Sequence, residues 1–149
     1  MSLANFDPNK ADNLEDVEKE FAVKAVEQMI TYWKLLGAIK GSKLKLTPYD
    51  DEIFAEFQKD FPEYREKESL EHISEDEIKS KENKARWRDF FKKFDKKIED
   101  YNFGTLLRVN SKDEYSKDNS IFVVRLQFYA FEIARNRLCL NDWVSASKE

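Results

Sequence analysis

The fold turns on Ser120-Ile121-Phe122-Val123-Val124-Arg125-Leu126-Gln127-Phe128-Tyr129-Ala130-Phe131-Glu132-Ile133-Ala134-Arg135-Asn136-Arg137-Leu138. Ile121 to Val124 is β-branched and aromatic enough to read as a strand, but the apolar pattern continues through Leu126, Tyr129, Ile133 and Leu138 with no glycine or proline to break it. An uninterrupted pattern favours a helix throughout. A helix that is apolar on most sides has to be packed on most sides, so this one is expected at the centre of a helical bundle.

Three more helices are expected upstream. Ser74-Glu75-Asp76-Glu77 has the form of a reciprocal capping box, and Ile78, Ala85, Trp87, Phe91, Phe94, Ile98 and Tyr101 carry a helical stripe from there to Gly104. Thr47-Pro48-Tyr49-Asp50 offers an N-cap, a first-turn proline and an acid at the positive end of the helix dipole, ahead of Ile53, Phe54, Phe57 and Phe61; Pro62 closes that helix. Asn13 can cap a first helix in which Val17, Phe21, Ala25, Met29, Trp33 and Leu36 recur at intervals of three and four, with Gly37 as its stop. Residues 63–77 read as a charged loop with one short turn near Leu70 to Ile73. Thr105 to Val109 is extended or forms a brief strand, followed by a polar loop from Asn110 to Asn119.

The expectation is therefore a mainly α fold: a single-domain helical bundle of about four main helices, with room for one short strand pair. A tail is expected over residues 1–12, the helical domain over 13–140, and a C-terminal tail over 141–149. Composition agrees, because 38% of the residues are charged against about 25% in an average domain, and glycines and prolines number three each. Twelve Phe, six Tyr and three Trp supply a core of large rings.

The same inventory excludes several kinds of chemistry. With glycine only at 37, 41 and 104, neither a dinucleotide fingerprint nor a phosphate-cradling loop can be assembled. One His and one Cys cannot make the usual zinc sites, and no metal or cofactor is expected. His72 and Cys139 would have to meet in a cleft to act as a nucleophile pair, and a solvated His72 is the plainer reading. A lone cysteine and the lack of an Asn-x-Ser/Thr acceptor point to a reducing compartment, and no apolar run is long enough to span a membrane. A net charge of −4 argues against general nucleic-acid binding, and no DNA partner is expected. The chain reads as a cytoplasmic binder of another macromolecule, not an enzyme.

Two groups of residues are candidates for contact. Residues 79–97 hold seven Lys and two Arg against three acids, a local net charge of +6. On a helical period Lys81, Lys84, Arg88, Lys92 and Lys96 follow one flank of the Trp87/Phe91/Phe94 seam, and Arg86, Lys93 and Lys97 the other. Such a ridge could meet ribosomal RNA or an acidic protein surface, although lysines that merely keep a long helix soluble would look the same. On the last helix Arg125, Tyr129, Glu132 and Asn136 fall on one side of an otherwise apolar segment. Polar groups there need partners, either in an internal network with Arg108 or in a ligand, and the internal network is the preferred reading.

The stretches Lys45-Leu46-Thr47-Pro48-Tyr49-Asp50-Asp51-Glu52-Ile53-Phe54-Ala55-Glu56-Phe57, Glu99-Asp100-Tyr101-Asn102-Phe103-Gly104-Thr105-Leu106-Leu107-Arg108 and Arg125 to Arg137 together resemble the polysaccharide biosynthesis domain-containing protein family. The resemblance spans Asn13 to Leu138. It implies a cytosolic, ribosome-associated chaperone dedicated to newly made translation elongation factor 1-alpha, contacting its GTP-binding domain, with the nascent polypeptide-associated complex as a helper. Arg108, Arg125, Glu132, Arg135, Asn136 and Arg137 then become candidates for the client contact, and Lys81, Lys84, Arg88, Lys92 and Lys96 for a ribosomal or acidic surface. The family's name suggests sugar chemistry. No nucleotide-sugar or methyl-donor cradle can be built from these residues, so a sugar-modifying enzyme is the remote alternative.

Overall fold

The structure, a computed structural model, describes residues 19–146. Its elements in chain order are α1 (Lys19–Ala38), α2 (Asp50–Asp60), α3 (Lys67–Glu71), α4 (Glu75–Ile78), α5 (Lys81–Lys92), β1 (Gly104–Arg108), β2 (Ser120–Val124), α6 (Arg125–Arg137) and α7 (Asp142–Ala146). Short 3-10 turns at Gly41–Lys43 and Pro62–Arg65 join them. The fold is mainly α with one small antiparallel sheet, as the sequence leads one to expect. The expected cap at Asn13, Val17 and the tail over residues 1–12 lie outside the described residues, as does the side chain of Phe21.

The apolar stretch divides at Val124, which corrects the reading of one continuous helix. Ser120–Val124 pairs with Gly104–Arg108, Val123 opposite Thr105 and Ile121 opposite Leu107. Thr105, Leu107, Ile121 and Val123 share one buried face and Leu106 is buried on the other, so the period-two signature of a half-exposed strand is missing. The break is chemical. Gln127 Oε1 accepts from Val124 N–H at 2.9 Å, while the amides of Arg125 and Leu126 donate to Phe103 O (2.8 Å) and Tyr101 O (2.9 Å). These contacts satisfy amides that the first turn of a helix leaves without partners.

The third helix is also shorter than expected. Ser74 Oγ caps α4 through Glu77 N–H at 3.2 Å, and Ser80 Oγ caps α5 through Asn83 N–H at 3.2 Å, so two caps replace one. After Lys92 the chain tightens into i→i−3 bonds, Lys93 to Phe90 and Phe94 to Phe91, and proceeds through turns to Gly104. Phe94 and Ile98 are buried from these turns, not from a helix, and Ala85 is exposed. α1 runs through Gly37 to Ala38. α2 begins at Asp50, whose carboxylate reaches back to the amides of Leu46 and Thr47, both at 2.7 Å; Thr47 Oγ1 accepts from Tyr49 N–H at 2.9 Å. Pro62 follows its end as expected.

The core is a packing of rings between α2, α5 and α6. Phe57 touches Phe61, Tyr64, Trp87, Phe90 and Phe131, and Phe61 stacks on Trp87 with centroids 4.1 Å apart. α6 crosses the middle of this body with ten of its thirteen residues buried, which is the central position its apolar circumference requires. It ends in a Schellman turn: Leu140 N–H bonds to Arg135 O at 2.9 Å, Cys139 N–H bonds to Asn136 O at 3.0 Å, and Cys139 takes a left-handed φ of 63°. The chain then folds back into α7, with Asn141 and Val144 fully buried. Residues 141–146 therefore belong to the folded body, and the expected tail from 141 is corrected accordingly.

Candidate functional site

α6 places Glu132, Arg135 and Asn136 on the side that faces α1 and β1, one helical turn or less apart. Glu132 is fully buried, and four side chains converge on it. Tyr32 Oη donates to its Oε1 at 2.8 Å and Asn141 Nδ2 to the same oxygen at 3.1 Å; Arg135 Nη1 reaches Oε2 at 3.1 Å, and Arg108 Nη2 lies 3.6 Å from Oε1. Asn136 Nδ2 donates to Tyr32 Oη at 3.3 Å, Asn141 Nδ2 also donates to Asn136 Oδ1 at 2.7 Å, and Arg108 Nη2 donates to Asn141 Oδ1. The Schellman turn after α6 is what carries Asn141 back into this position.

Two guanidiniums around one carboxylate leave the interior with an excess positive charge, which backbone carbonyls and ring faces absorb. Arg135 donates to Leu70 O (2.8 Å), Arg108 O (2.8 Å) and Val109 O (3.1 Å). Arg108 donates to Ser111 O (3.0 Å) and Asp113 O (3.1 Å) and lies between the rings of Trp33 and Tyr115, 5.2 and 5.6 Å from their centroids. Its Nε is buried and has no hydrogen-bond partner among the described residues. Burial alone pushes the Glu132 carboxyl up, but Arg108 and Arg135, with the Tyr32 hydroxyl, hold it below the usual carboxylate range. Burial, then the nearby Glu132 charge, pushes the Tyr32 phenol well above its ordinary value.

The internal network expected from the polar residues of α6 is present in part: Glu132 and Asn136 join Arg108 in it, whereas Tyr129, whose ring packs on Phe128, and Arg125 do not. Arg108, Glu132, Arg135 and Asn136 are each at most 3% exposed and consumed by one another, so as client contacts they are withdrawn. Arg125 and Arg137 lie elsewhere. Arg125 Nη1 is 4.0 Å from an Asp100 carboxylate oxygen and its guanidinium covers Phe103; Arg137 pairs with Asp51 and covers Phe54. Tyr32 and Asn141 were not identified as members in the sequence. An asparagine just past the end of an apolar helix is a weak signal, and nothing local marks Tyr32 out from the other rings of α1.

The two basic flanks of α5 differ in the structure. Arg86 holds both Glu63 oxygens (2.7 and 2.9 Å) and lies over Phe61; Lys93 binds Glu56 and Asp60 (2.9 and 2.8 Å), and Lys97 binds Glu52 (2.7 Å). That flank is bonded to the acids of α2 and the turn after it. Lys81, Lys84, Arg88, Lys92 and Lys96 are all exposed, and among the described residues only Lys92 has an ion pair, a loose one to Asp89 at 3.9 Å. Lys96 lies past the end of α5, so the helical ridge is shorter than expected and stops at Lys92. Beside this flank runs an apolar groove of about 430 Å³, lined by Ile78, Trp87, Phe91, Gly104, Phe122 and Val124, with Lys79 and Lys84 on its rim.

The sequence profile of the PBDC1 protein family matches residues 17–146, nearly the whole chain. The chain belongs to the PBDC1 family. Among PBDC1 relatives, the Saccharomyces cerevisiae protein PBDC1 homolog is 58% identical over 98% of this chain and all of its own length. The Schizosaccharomyces pombe PBDC1 homolog is 51% identical over 97% of this chain, and human PBDC1 is 41% identical over 91% of it. The match covers only 56% of the human protein. The fold is similar to the solution NMR structure of protein yst0336 from Saccharomyces cerevisiae, with a TM-score of 0.83 at 59% identity, covering 96% of this chain and 98% of that one. Among the described residues no helix is long and apolar enough to cross a membrane.

Proposed function

We propose that this PBDC1 family member is a binding protein that acts in the cytoplasm as an ATP-independent, client-specific chaperone for newly made translation elongation factor 1-alpha, at the ribosome and with the nascent polypeptide-associated complex as helper. The client's identity comes from the family resemblance of the sequence. What supports a binding role is the contrast between the two flanks of α5: one is spent on ion pairs to α2 and the turn after it, while the other keeps Lys81, Lys84 and Arg88 without an ion pair among the described residues, beside an apolar groove. A surface that is apolar in the middle and charged at the rim suits recognition of another chain.

Affinity capture with the full chain, from cells synthesising elongation factor 1-alpha, tests the reading. The expected result is a capture dominated by that one GTPase, together with its aggregation when this chain is deleted. A broad set of captured clients overturns it. The exposed basic row also supports a second reading, a ribosome- or RNA-associated factor. Under that reading, reversing charge at Lys84, Arg88 and Lys92 abolishes ribosome co-sedimentation, and wild-type sedimentation weakens steeply with salt.

A further inference from the structure

We propose that the groove between α5 and the β1–β2 hairpin is a strand-addition site: it takes an extended, acidic segment of a partner protein, which pairs along the outer edge of β2 and seats a large apolar side chain against Trp87 and Phe91. The inference rests on the binding reading above but not on the identity of the client.

Three observations carry it. The first is the state of the two sheet edges. Val109 N–H bonds to Asn119 O and Arg125 N–H to Phe103 O, which with the strand register puts Thr105, Leu107, Ile121 and Val123 at the hydrogen-bonded positions. The amide and carbonyl groups of Leu106, Arg108, Ser120 and Phe122 then point outward from the pair. On the β1 side α1 packs against the strand and the two outward carbonyls are occupied, Leu106 O by the Tyr115 hydroxyl (3.2 Å) and Arg108 O by Arg135 (2.8 Å). On the β2 edge Val124 N–H is taken by Gln127, and Phe122 presents its N–H and C=O without a partner among the described residues. An open edge of this kind is a template for another strand.

The second observation is where that edge lies. Phe122, Val123 and Val124 line the groove consecutively. Side chains of successive strand residues point to opposite faces, so three in a row at one cavity bring the backbone of β2, and not just one of its faces, to the groove. The missing side chain of Gly104 enlarges the floor. A Cβ there would meet only the Phe122 ring, at 3.5 Å, and its backbone is not in a left-handed conformation. At about 430 Å³ the groove has room for more than one large side chain.

The third observation is charge. On a helical period Lys84, Arg88, Lys81 and Lys92 lie on the groove side of α5 next to Phe91, while Glu82 and Asp89 fall on the opposite side. Lys79 on the rim is paired with Glu75, and Lys84 and Arg88 have no ion pair among the described residues. An occupant that alternates apolar residues inward and acidic residues outward matches both properties.

The test uses the full chain and a short fluorescein-labelled synthetic peptide that alternates Asp or Glu with Val around a central Phe, read by anisotropy. Binding is expected, and Gly104→Leu, which fills the groove floor, should weaken it by roughly ten-fold. Lys84→Glu with Arg88→Glu changes only exposed side chains, so the protein stays folded, and should both weaken binding and flatten its salt dependence. N-methylation of the peptide amides that would face Phe122 should abolish binding, a loss that packing into a pocket without strand pairing would not give. The proposal is overturned by equal binding of a peptide with Lys in place of its acids, or by affinity unchanged in the variants. It is also overturned by tighter binding of an RNA oligonucleotide that Gly104→Leu leaves intact, or by a homodimer that Gly104→Leu dissociates. Failure to capture the elongation factor with peptide binding intact removes only the client reading; intact capture with no peptide binding removes only this one.

Discussion

Tyr32 Oη donates to Glu132 Oε1 at 2.8 Å, joining the first long helix to the last across a hundred residues of chain. The bond matters because Glu132 is the only fully buried carboxylate among the described residues, and Arg108 and Arg135 both depend on it. Glu132→Ala removes the shared anion and leaves two guanidiniums buried with no counter-charge. The expected loss is about 3–5 kcal/mol in urea unfolding. Tyr32→Phe leaves the carboxylate three of its partners and should cost about 1.5–3 kcal/mol, as for a hydrogen bond to a charged group. Equal losses in the two variants would contradict the central role of the carboxylate.

The same carboxylate ties stability to acidity. Burial acts to raise it and the two arginines to lower it, with the lowering prevailing, so the folded protein holds Glu132 ionised below the ordinary value of 4.5. A group depressed on folding contributes fully above its unfolded value, and that contribution is lost as pH falls through the folded value. Urea unfolding measured from about pH 7 down to about pH 3 should show this loss in the wild type and a flatter profile in Glu132→Gln. Parallel profiles would mean that other carboxylates govern acid unfolding.

The sequence made the polar spacing on α6 legible, because residues four and three apart on a helix share a face whatever their partners are. The partners were not legible. Tyr32 and Asn141 arrive through long-range packing and a reversal at Cys139, neither of which has a local signature strong enough to read. The strand Ser120–Val124 reads as helix because Phe122 and Val124, which border the groove, are as apolar as the buried Ile121 and Val123, which erases alternation from the sequence. The division of the third helix was missed for another reason: Ser80, three residues before Asn83, is a second cap inside a pattern already explained by Ser74. In the candidate site the basic row could be read from charge and period, but which flank α2 neutralises depends on the fold.

The reversal at Cys139 makes its own prediction. Cys139 occupies the Schellman position that glycine usually fills, with φ at 63° and its side chain exposed. Cys139→Gly removes the left-handed penalty and gives up no buried contact, so thermal unfolding should show a gain of about 1 kcal/mol. A loss would show that the thiol makes a contact the structure does not contain.

Two glycines provide the opposite contrast. A Cβ at Gly41 would sit 2.5 Å from Asn136 Oδ1 and 3.0 Å from Asn141 Cβ, both buried in the Glu132 network and neither free to retreat; at Gly104 the nearest atom is 3.5 Å away. Gly41→Ala should therefore cost about 1–3 kcal/mol by overpacking, while Gly104→Ala should change the melting temperature little. Their effects on binding should reverse that order. Gly41 lies on the network side, and its substitution should leave affinity for an acidic extended peptide intact at temperatures where the protein is folded. Gly104 opens on the groove, and side chains of increasing size there should reduce affinity step by step while stability stays near that of the wild type. If instead affinity follows stability across both positions, the groove is not where the peptide binds.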